Sequence, residues 1–364
     1  MPRRAECAAG QGGAPAGAAG KGKGVMTIRD IAREAGYAVG TVSRVLNNNP
    51  NVSAAARARI LEVVQQHNFQ PNANARHLKL QSSSAIAILV RGTQNMLFTG
   101  ILEKMQALIE ERGYVSLLYY VDEEADELEQ ARRVCQERRP YGIAFLGSNL
   151  EHVTADVAAL GVPCVLVTNS AASLDLPNLS SVSVDDTMAA SHVIEYLYAR
   201  GHRHIGVIGS NPALSQPSAA RLAGCRQAFS ELKLPFDEAR QYVYARYSME
   251  SGYTAMERLL ERAPEITAVF ALSDMMAVGA LRALADRGLR VPQDLSVAGY
   301  DGVALGRFCI PRLTTVRQNV TRLATRSVEI LLHCVEENSP AVHEIVPFEM
   351  VEGESVGAAR PRPE

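Results

Sequence analysis

No tryptophan occurs anywhere in the 364 residues, and aromatic residues make up only 5% of them. No apolar run approaches the ~18 residues that a membrane-spanning helix needs, and the longest, such as Ala85 to Val90, are strand-sized. A membrane partner is therefore not expected. Cysteine is scarce too. The six (positions 7, 135, 164, 225, 309 and 334) include no C-x-x-C pair, which argues against a zinc ribbon and against a disulfide-stapled secreted fold. Reduced thiols of a cytoplasmic protein fit this pattern. His202-Arg-His204 has no carboxylate or cysteine spaced to complete a metal site, and a turn entering a strand explains it. No Ser-His-Asp set stands in a recognisable local context. Gly206 to Gly209 does not form the G-x-G-x-x-G fingerprint of a dinucleotide enzyme. No catalytic residue, no metal and no cofactor is expected.

What is present is ordinary in amount and uneven in distribution. Hydrophobic residues make up 47% and charged residues 21%, as in a globular protein, and the length allows two to three domains. The net charge of −2 divides into +7 over residues 1–81 and −9 over the remainder. A basic head on an acidic body suggests an anionic partner for the head. Composition alone fits a solvated tail equally well.

Residues 1–25 are mostly Gly and Ala with a few basic residues, and are expected to be a disordered tail. Arg3 and Arg4 resemble the start of a signal peptide, but no apolar segment follows, so export is not expected. Gly17 to Gly24 nearly spells a phosphate-binding loop. It lacks the Ser/Thr that would hold Mg²⁺, and no strand precedes it. Met26, just ahead of the first periodic segment, is an alternative start.

Three short helices are expected over residues 26–70. Thr27 with Asp30 three residues later is a capping pattern, and Ile28, Ile31, Ala32 and Ala35 share a helical face. Gly36 supplies a turn, and a second helix runs from near Val39 to Asn47 with Val42, Val45 and Leu46 inward. Ser53 caps a third, with Ile60, Val63 and Val64 closing a small core. Any three-helix bundle has such a pattern. The outer face of the second helix, however, carries Thr41, Ser43, Arg44 and Asn47, groups suited to phosphate contact and to guanine recognition.

Past Ser84, strand-sized apolar runs alternate with helical segments to the end of the chain, as in parallel sheets wrapped by helices. About 280 residues exceed a usual single sheet, so two lobes are expected. Ligands in such folds bind beyond the carboxyl ends of strands. Two strands end there in an aspartate, Asp274 and Asp301. For either alone a helix cap is the plainer reading; two at equivalent places point to a ligand. Arg221 could add a fork of donors, and Asp with Arg is a suitable pair for a hydroxyl-rich ligand.

The head carries Thr27-Ile-Arg-Asp-Ile-Ala-Arg-Glu-Ala-Gly36, Thr41-Val-Ser-Arg-Val-Leu-Asn47, Val52-Ser53 and Pro71-Asn-Ala-Asn-Ala-Arg76 with Leu78. The body carries Ser218-Ala-Ala-Arg-Leu-Ala-Gly224, Asp274-Met-Met-Ala-Val-Gly-Ala280, Val291-Pro-Gln-Asp-Leu-Ser296, Gly299-Tyr-Asp301 and Pro311-Arg-Leu-Thr-Thr-Val-Arg-Gln318. In these stretches, taken in order, the chain resembles the LacI/GalR family of bacterial transcription regulators. The resemblance implies an α/β architecture. An N-terminal helix-turn-helix head (26–70) and a hinge helix with linker (71–83) would join a two-lobed periplasmic-binding-protein-like body with parallel sheets (84–357). A short tail, 358–364, would follow. It implies lobes of about 84–184 plus 317–339 and 185–316 plus 340–357, with crossovers near 185, 316 and 340.

The same resemblance implies that the second helix reads the major groove of a near-palindromic operator in double-stranded DNA. Val39, Gly40 and Arg44 would face bases, and Thr27, Thr41, Ser43 and Asn47 would lie against the duplex. Leu78 would wedge into the minor groove, with Ala75 beside it and Asn72 near the backbone. Arg221, Asp301 and Gln318 would line an effector site for a small molecule, a sugar or derivative; Phe98, Asp185, Phe270 and Asp274 are weaker candidates. The implied protein is a homodimeric, effector-controlled repressor, dimeric rather than tetrameric because Ser355–Glu364 is polar and proline-containing. Other possibilities are a transport binding protein of the same body fold and a regulator that depends on a co-repressor or a phosphoprotein. One departure stands out: Ala38 occupies the place where the family has a capping Ser, costing the second helix roughly 1 kcal/mol.

Overall fold

The computed structural model describes residues 27–46, 52–67, 69, 84–92, 95–122, 125–148, 155–213 and 215–360. The expected tail (1–25) and hinge (71–83), together with Asn47, Asn72, Ala75 and Leu78, lie outside the described residues. The chain divides at residues 78 and 79 into two compact units.

The first unit contains α1 (Ile28–Ala35), α2 (Val39–Leu46) and α3 (Ala54–Gln66). Thr27 and Asp30 form a reciprocal capping box at the start of α1, and Gly36 ends it at φ +75°, in the left-handed region that glycine adopts without steric cost. Ile31, Ala32, Ala35, Val42, Val45, Ile60 and Val63 are all buried against one another. The small Ala32 and Ala35 let the helices approach closely. Glu34 and His67, 2.7 Å apart, join α1 to the end of α3.

The second unit holds two six-stranded sheets. The first runs β11-β5-β4-β3-β1-β2 and is parallel throughout. Its strands are β1 (Ala85–Arg91), β2 (Val115–Val121), β3 (Gly142–Leu146), β4 (Cys164–Val167), β5 (Leu179–Ser183) and β11 (His343–Ile345). Helices α4 (Met96–Glu111) and α10 (Val320–Glu337) cover one face, and α5 (Glu127–Arg138) covers the other. Such a sheet is buried on both faces, which explains unbroken apolar runs in place of alternation: every residue of β1 is buried.

The second sheet runs β12-β10-β9-β8-β6-β7, with only β12 antiparallel. Its strands are β6 (Ile205–Gly209), β7 (Tyr242–Tyr244), β8 (Ala268–Ala271), β9 (Ser296–Asp301), β10 (Thr314–Gln318) and β12 (Phe348–Val351). Helices α6 (Asp186–Ala199) and α7 (Gln216–Glu231) pack on one face. Helices α8 (Met249–Arg262) and α9 (Asp274–Asp286) pack on the other. Gly224 is where α6 and α7 meet, since a Cβ there would lie 2.1 Å from the Thr187 carbonyl oxygen.

The chain passes between the sheets after β5, after β10 and between β11 and β12. The first passage lies at 184–185, ahead of α6, and the second follows Gln318, the last residue of β10, so that Val316 lies within the second sheet. The third falls at 346–347 rather than 340. Asn338 ends α10 in a left-handed conformation. The chain then stays in the same lobe, because His343 to Ile345 pair with Ser181 to Ser183.

Candidate functional site

Two surfaces carry the residues singled out by the sequence. The first is the outer side of α2. Val39 is 42% exposed, Gly40 and Arg44 are exposed, and Thr41 and Ser43 are half-buried. A Cβ at Gly40 would meet nothing within 4 Å, so this position is open to whatever α2 approaches. The Ala38 carbonyl accepts from the Thr41 and Val42 amides, which makes Ala38 the N-cap, and its methyl offers no acceptor. Thr27 stands apart from these residues. Its hydroxyl lies 2.6 Å from Asp30 Oδ2 and serves to cap α1.

The second surface is a cleft of about 560 Å³ in the second unit. In each sheet the strand order reverses, between β1 and β3 in the first and between β6 and β8 in the second. Chains diverge at such points and leave a crevice beyond the strand ends. Arg91, Gly92, Gly147 and Ser148 line it from the first lobe, and Ser210, Asn211, Arg221 and Asp301 from the second. Phe98 contributes a ring, packed over Gly147, where a Cβ would lie 2.5 Å from it.

At the base of the cleft Arg221 is 4% exposed and Asp301 1% exposed. The Arg221 guanidinium lies 3.7 Å from the centre of the Tyr300 ring. It donates through Nε to Asp186 Oδ1 at 2.9 Å and through Nη1 to the Leu272 carbonyl at 2.5 Å, and stands 3.7 Å from Asp301 Oδ1. Tyr300 donates its hydroxyl to the same Asp186 oxygen at 2.6 Å. Burial works against the Arg221 charge, but Asp186, Tyr300 and Asp301 outweigh it and hold the side chain protonated. Burial pushes the Asp301 carboxyl up to about 6, against the opposing pull of Arg221. Gln318 donates through Nε2 to Asp301 Oδ1 at 2.9 Å. Asp301 Oδ2 and Gln318 Oε1 are buried without a hydrogen-bond partner. Buried acceptors in that condition call for a ligand's hydroxyl or a water.

Asp301 has φ +112° and Thr168, also on the cleft, has φ +76°. For residues other than glycine such backbone costs of order 1–3 kcal/mol, and it gathers where function demands an exact side-chain position.

Of the seven effector candidates, Phe98, Arg221 and Asp301 line the cleft, and Gln318 supports Asp301 from behind. Asp185, Phe270 and Asp274 do not line it. Asp185 caps α6, accepting from the Met188 amide. Its neighbour Asp186 turns inward to Arg221. Phe270 is wholly buried in the core beside Tyr300. Asp274 is the first residue of α9, after its cap Ser273. It accepts from the Val303 amide at 2.8 Å and from the Thr315 hydroxyl at 2.6 Å, fixing the turn that follows Asp301. Gly299 leaves room for it, since a Cβ there would lie 2.3 Å from Asp274 Oδ1. Asp186, Tyr300 and Arg91 belong to this site without having been expected from sequence. The pair Asp185-Asp186 held a signal that could not be assigned to one residue. His202 bridges Thr267 and the Gly357 carbonyl, a structural tether.

Among the described residues no helix is long and apolar enough to cross a membrane. Residues 27–72 match the model of bacterial regulatory proteins of the lacI family, and residues 194–356 match a periplasmic binding protein-like domain. The transcriptional regulator MalR of Clostridium butyricum is 34% identical over 333 residues, spanning 91% of this chain and 99% of its own length. Catabolite control protein A of Priestia megaterium is 31% identical over 311 residues, 84% of this chain and 91% of its own. Among solved structures, the lac repressor dimer bound to operator and an anti-inducer superposes with a TM-score of 0.79 at 25% identity, covering 92% of this chain and 99% of that one. The regulator CelR in complex with cellobiose gives 0.67 at 26% identity, covering 91% and 99%. The capped helix-turn-helix head, the two-lobed body and these likenesses agree: the chain belongs to the LacI family of bacterial transcriptional regulators.

Proposed function

We propose that this protein is a homodimeric repressor that binds a near-palindromic operator through α2 and is controlled by a hydroxyl-bearing small molecule of the sugar class held in the cleft. It acts by binding rather than by catalysis. Arg44, with Val39 and Gly40 at the helix start, reads base edges, while Thr41 and Ser43 lie along the phosphates. Two heads on a twofold dimer address two half-sites.

The observation that carries the effector reading is the base of the cleft. Asp301 Oδ2 offers a buried acceptor beside the Arg221 guanidinium, a pair that matches a ligand's hydroxyls. The structural relative CelR forms a complex with cellobiose, a hydroxyl-rich sugar. A ligand that touches both lobes stabilises one lobe arrangement over the other. By linkage it then changes operator affinity by the ratio of its affinities for the two arrangements. Asn72, Ala75 and Leu78 form the operator-contacting hinge in this reading.

Fluorescence anisotropy on a labelled operator duplex, with the full chain and a panel of sugars and derivatives, tests this. At least one compound should shift operator affinity by about fivefold or more, the usual size of such coupling. If every cleft-binding compound leaves operator affinity unchanged, the reading fails.

A further inference from the structure

Each lobe presents a buried arginine to the cleft with a carboxylate set behind it. In the first lobe this is Arg91, the last residue of β1. Its Nη1 stands 3.8 Å from Oε2 of Glu127, the first residue of α5, and both side chains are more than nine-tenths buried. Ser148 donates its hydroxyl to Glu127, and Asn169 donates to the Ser148 carbonyl at 2.8 Å, so Glu127 is fixed in place. In the second lobe, Arg221 is backed by Asp186 in the same way. Both arginines line the cavity and neither of these carboxylates does. Two ion pairs therefore point their positive ends at the ligand from opposite sides. Arg246 and Arg258 add two more guanidiniums to the wall, against Glu250 and Asp301. A neutral sugar can accept hydrogen bonds from such guanidiniums but makes no use of their charge. A buried guanidinium on a ligand-facing wall recognises carboxylate or phosphate with paired, directional hydrogen bonds.

Building on the cleft reading given above, we infer that the effector is a hydroxylated anion, a sugar bearing a carboxylate or a phosphate, and that Arg91 receives its acidic group while Asp301 receives its hydroxyls. Arg91 is thus the specificity-determining residue of the first lobe.

Isothermal titration calorimetry on the full chain, at near-physiological salt, tests this with five probes: glucose, maltose, glucuronate, gluconate and glucose 6-phosphate. At least one of the three anions should bind about tenfold or more tightly than either neutral sugar, the size of a charge-assisted hydrogen bond. The carboxylates and the phosphate distinguish the two sources of charge. Arg91→Met alone would strand the buried Glu127, so the informative variant is Arg91→Met with Glu127→Gln, its folding checked by circular dichroism. That variant should bind the anion no better than the neutral sugar, whereas Arg91→Lys should keep the preference in part. Neutral sugars that bind as well as the anions overturn the inference and leave the cleft reading intact. An anion preference that survives in the double variant overturns the assignment to Arg91. Absence of binding by all five probes at millimolar concentration counts against both.

Discussion

Gln216, the first residue of α7 in the second lobe, donates through Nε2 to the Ser170 carbonyl of the first lobe at 3.0 Å. This is a direct hydrogen bond between the lobes beside the cleft, since Ser215, Pro217 and Thr168 all line it. It favours the arrangement in which the walls face each other across a ligand. Gln216→Ala should weaken effector binding about two- to fivefold, the range of one net hydrogen bond of about 0.5–1 kcal/mol. Global stability should change little. Calorimetric titration beside a urea melt checks this; unchanged affinity would show that the bond does not hold the lobes.

Arg221 should matter to the fold as well as to the ligand. Its guanidinium compensates Asp186 and Asp301 and covers the Tyr300 ring. Arg221→Met leaves two buried carboxylates without their cation, and breaking a buried pair in this way costs about 3–5 kcal/mol. Arg221→Lys retains the charge but cannot reach Asp186, the Leu272 carbonyl and the ring together, so it should fold better and still bind ligand poorly. Urea unfolding of both variants against the parent measures this. A loss under 1 kcal/mol for Arg221→Met would contradict the network described.

The Asp301 carboxyl gives the molecule an unusual pH dependence. Burial raises it from an ordinary 3.8 to about 6, so the folded chain holds that proton more tightly than the unfolded chain does. The stability it contributes is complete below about pH 4 and is lost as pH rises through 6. Asn can adopt the φ of +112° at this position, so Asp301→Asn should fold without the titrating group. The stability of the parent relative to Asp301→Asn should therefore decline between about pH 4 and pH 6 and level off above. Parallel denaturant melts across that range decide it, and a flat or rising difference would be the contrary result.

The head has a repairable start to its reading helix. The Thr41 amide faces the Ala38 carbonyl, where a serine hydroxyl at 38 would accept it. Ala38→Ser should stabilise the head by about 1 kcal/mol. Differential scanning calorimetry of the variant beside the parent, both as full chains, provides the measurement. A destabilised head would mean that α2 starts elsewhere.

Much of this architecture is legible from residues alone. Strands such as Gly142–Leu146 and Cys164–Val167 stand out because a sheet covered on both faces needs unbroken apolar runs. The start of α4 is harder. Its cap is Asn95, but Met96 and Leu97 do not announce a helix as Thr99 onward does. Asp301 is legible because the strand-end rule acts on position. Asp186 is not: one residue turns a helix by about 100°, and either aspartate of the pair can cap while the other points inward. Asp274 obeys the same strand-end rule as Asp301, yet serves the turn after β9, since Val303 and Thr315 reach it first. Arg91 closes an apolar strand, where an arginine ordinarily marks the way to solvent. Only the fold reveals Glu127 behind it.

The role proposed for the head depends on α2 reading a defined DNA sequence. Selection of binding sites from randomised duplex DNA at near-physiological salt, with the full chain and with Arg44→Ala, is the decisive measurement. A near-palindrome with a flexible pyrimidine–purine step at its centre is expected for the parent. Arg44→Ala should retain only weak, salt-sensitive binding without that preference. Equal, unselective enrichment by both proteins would contradict it.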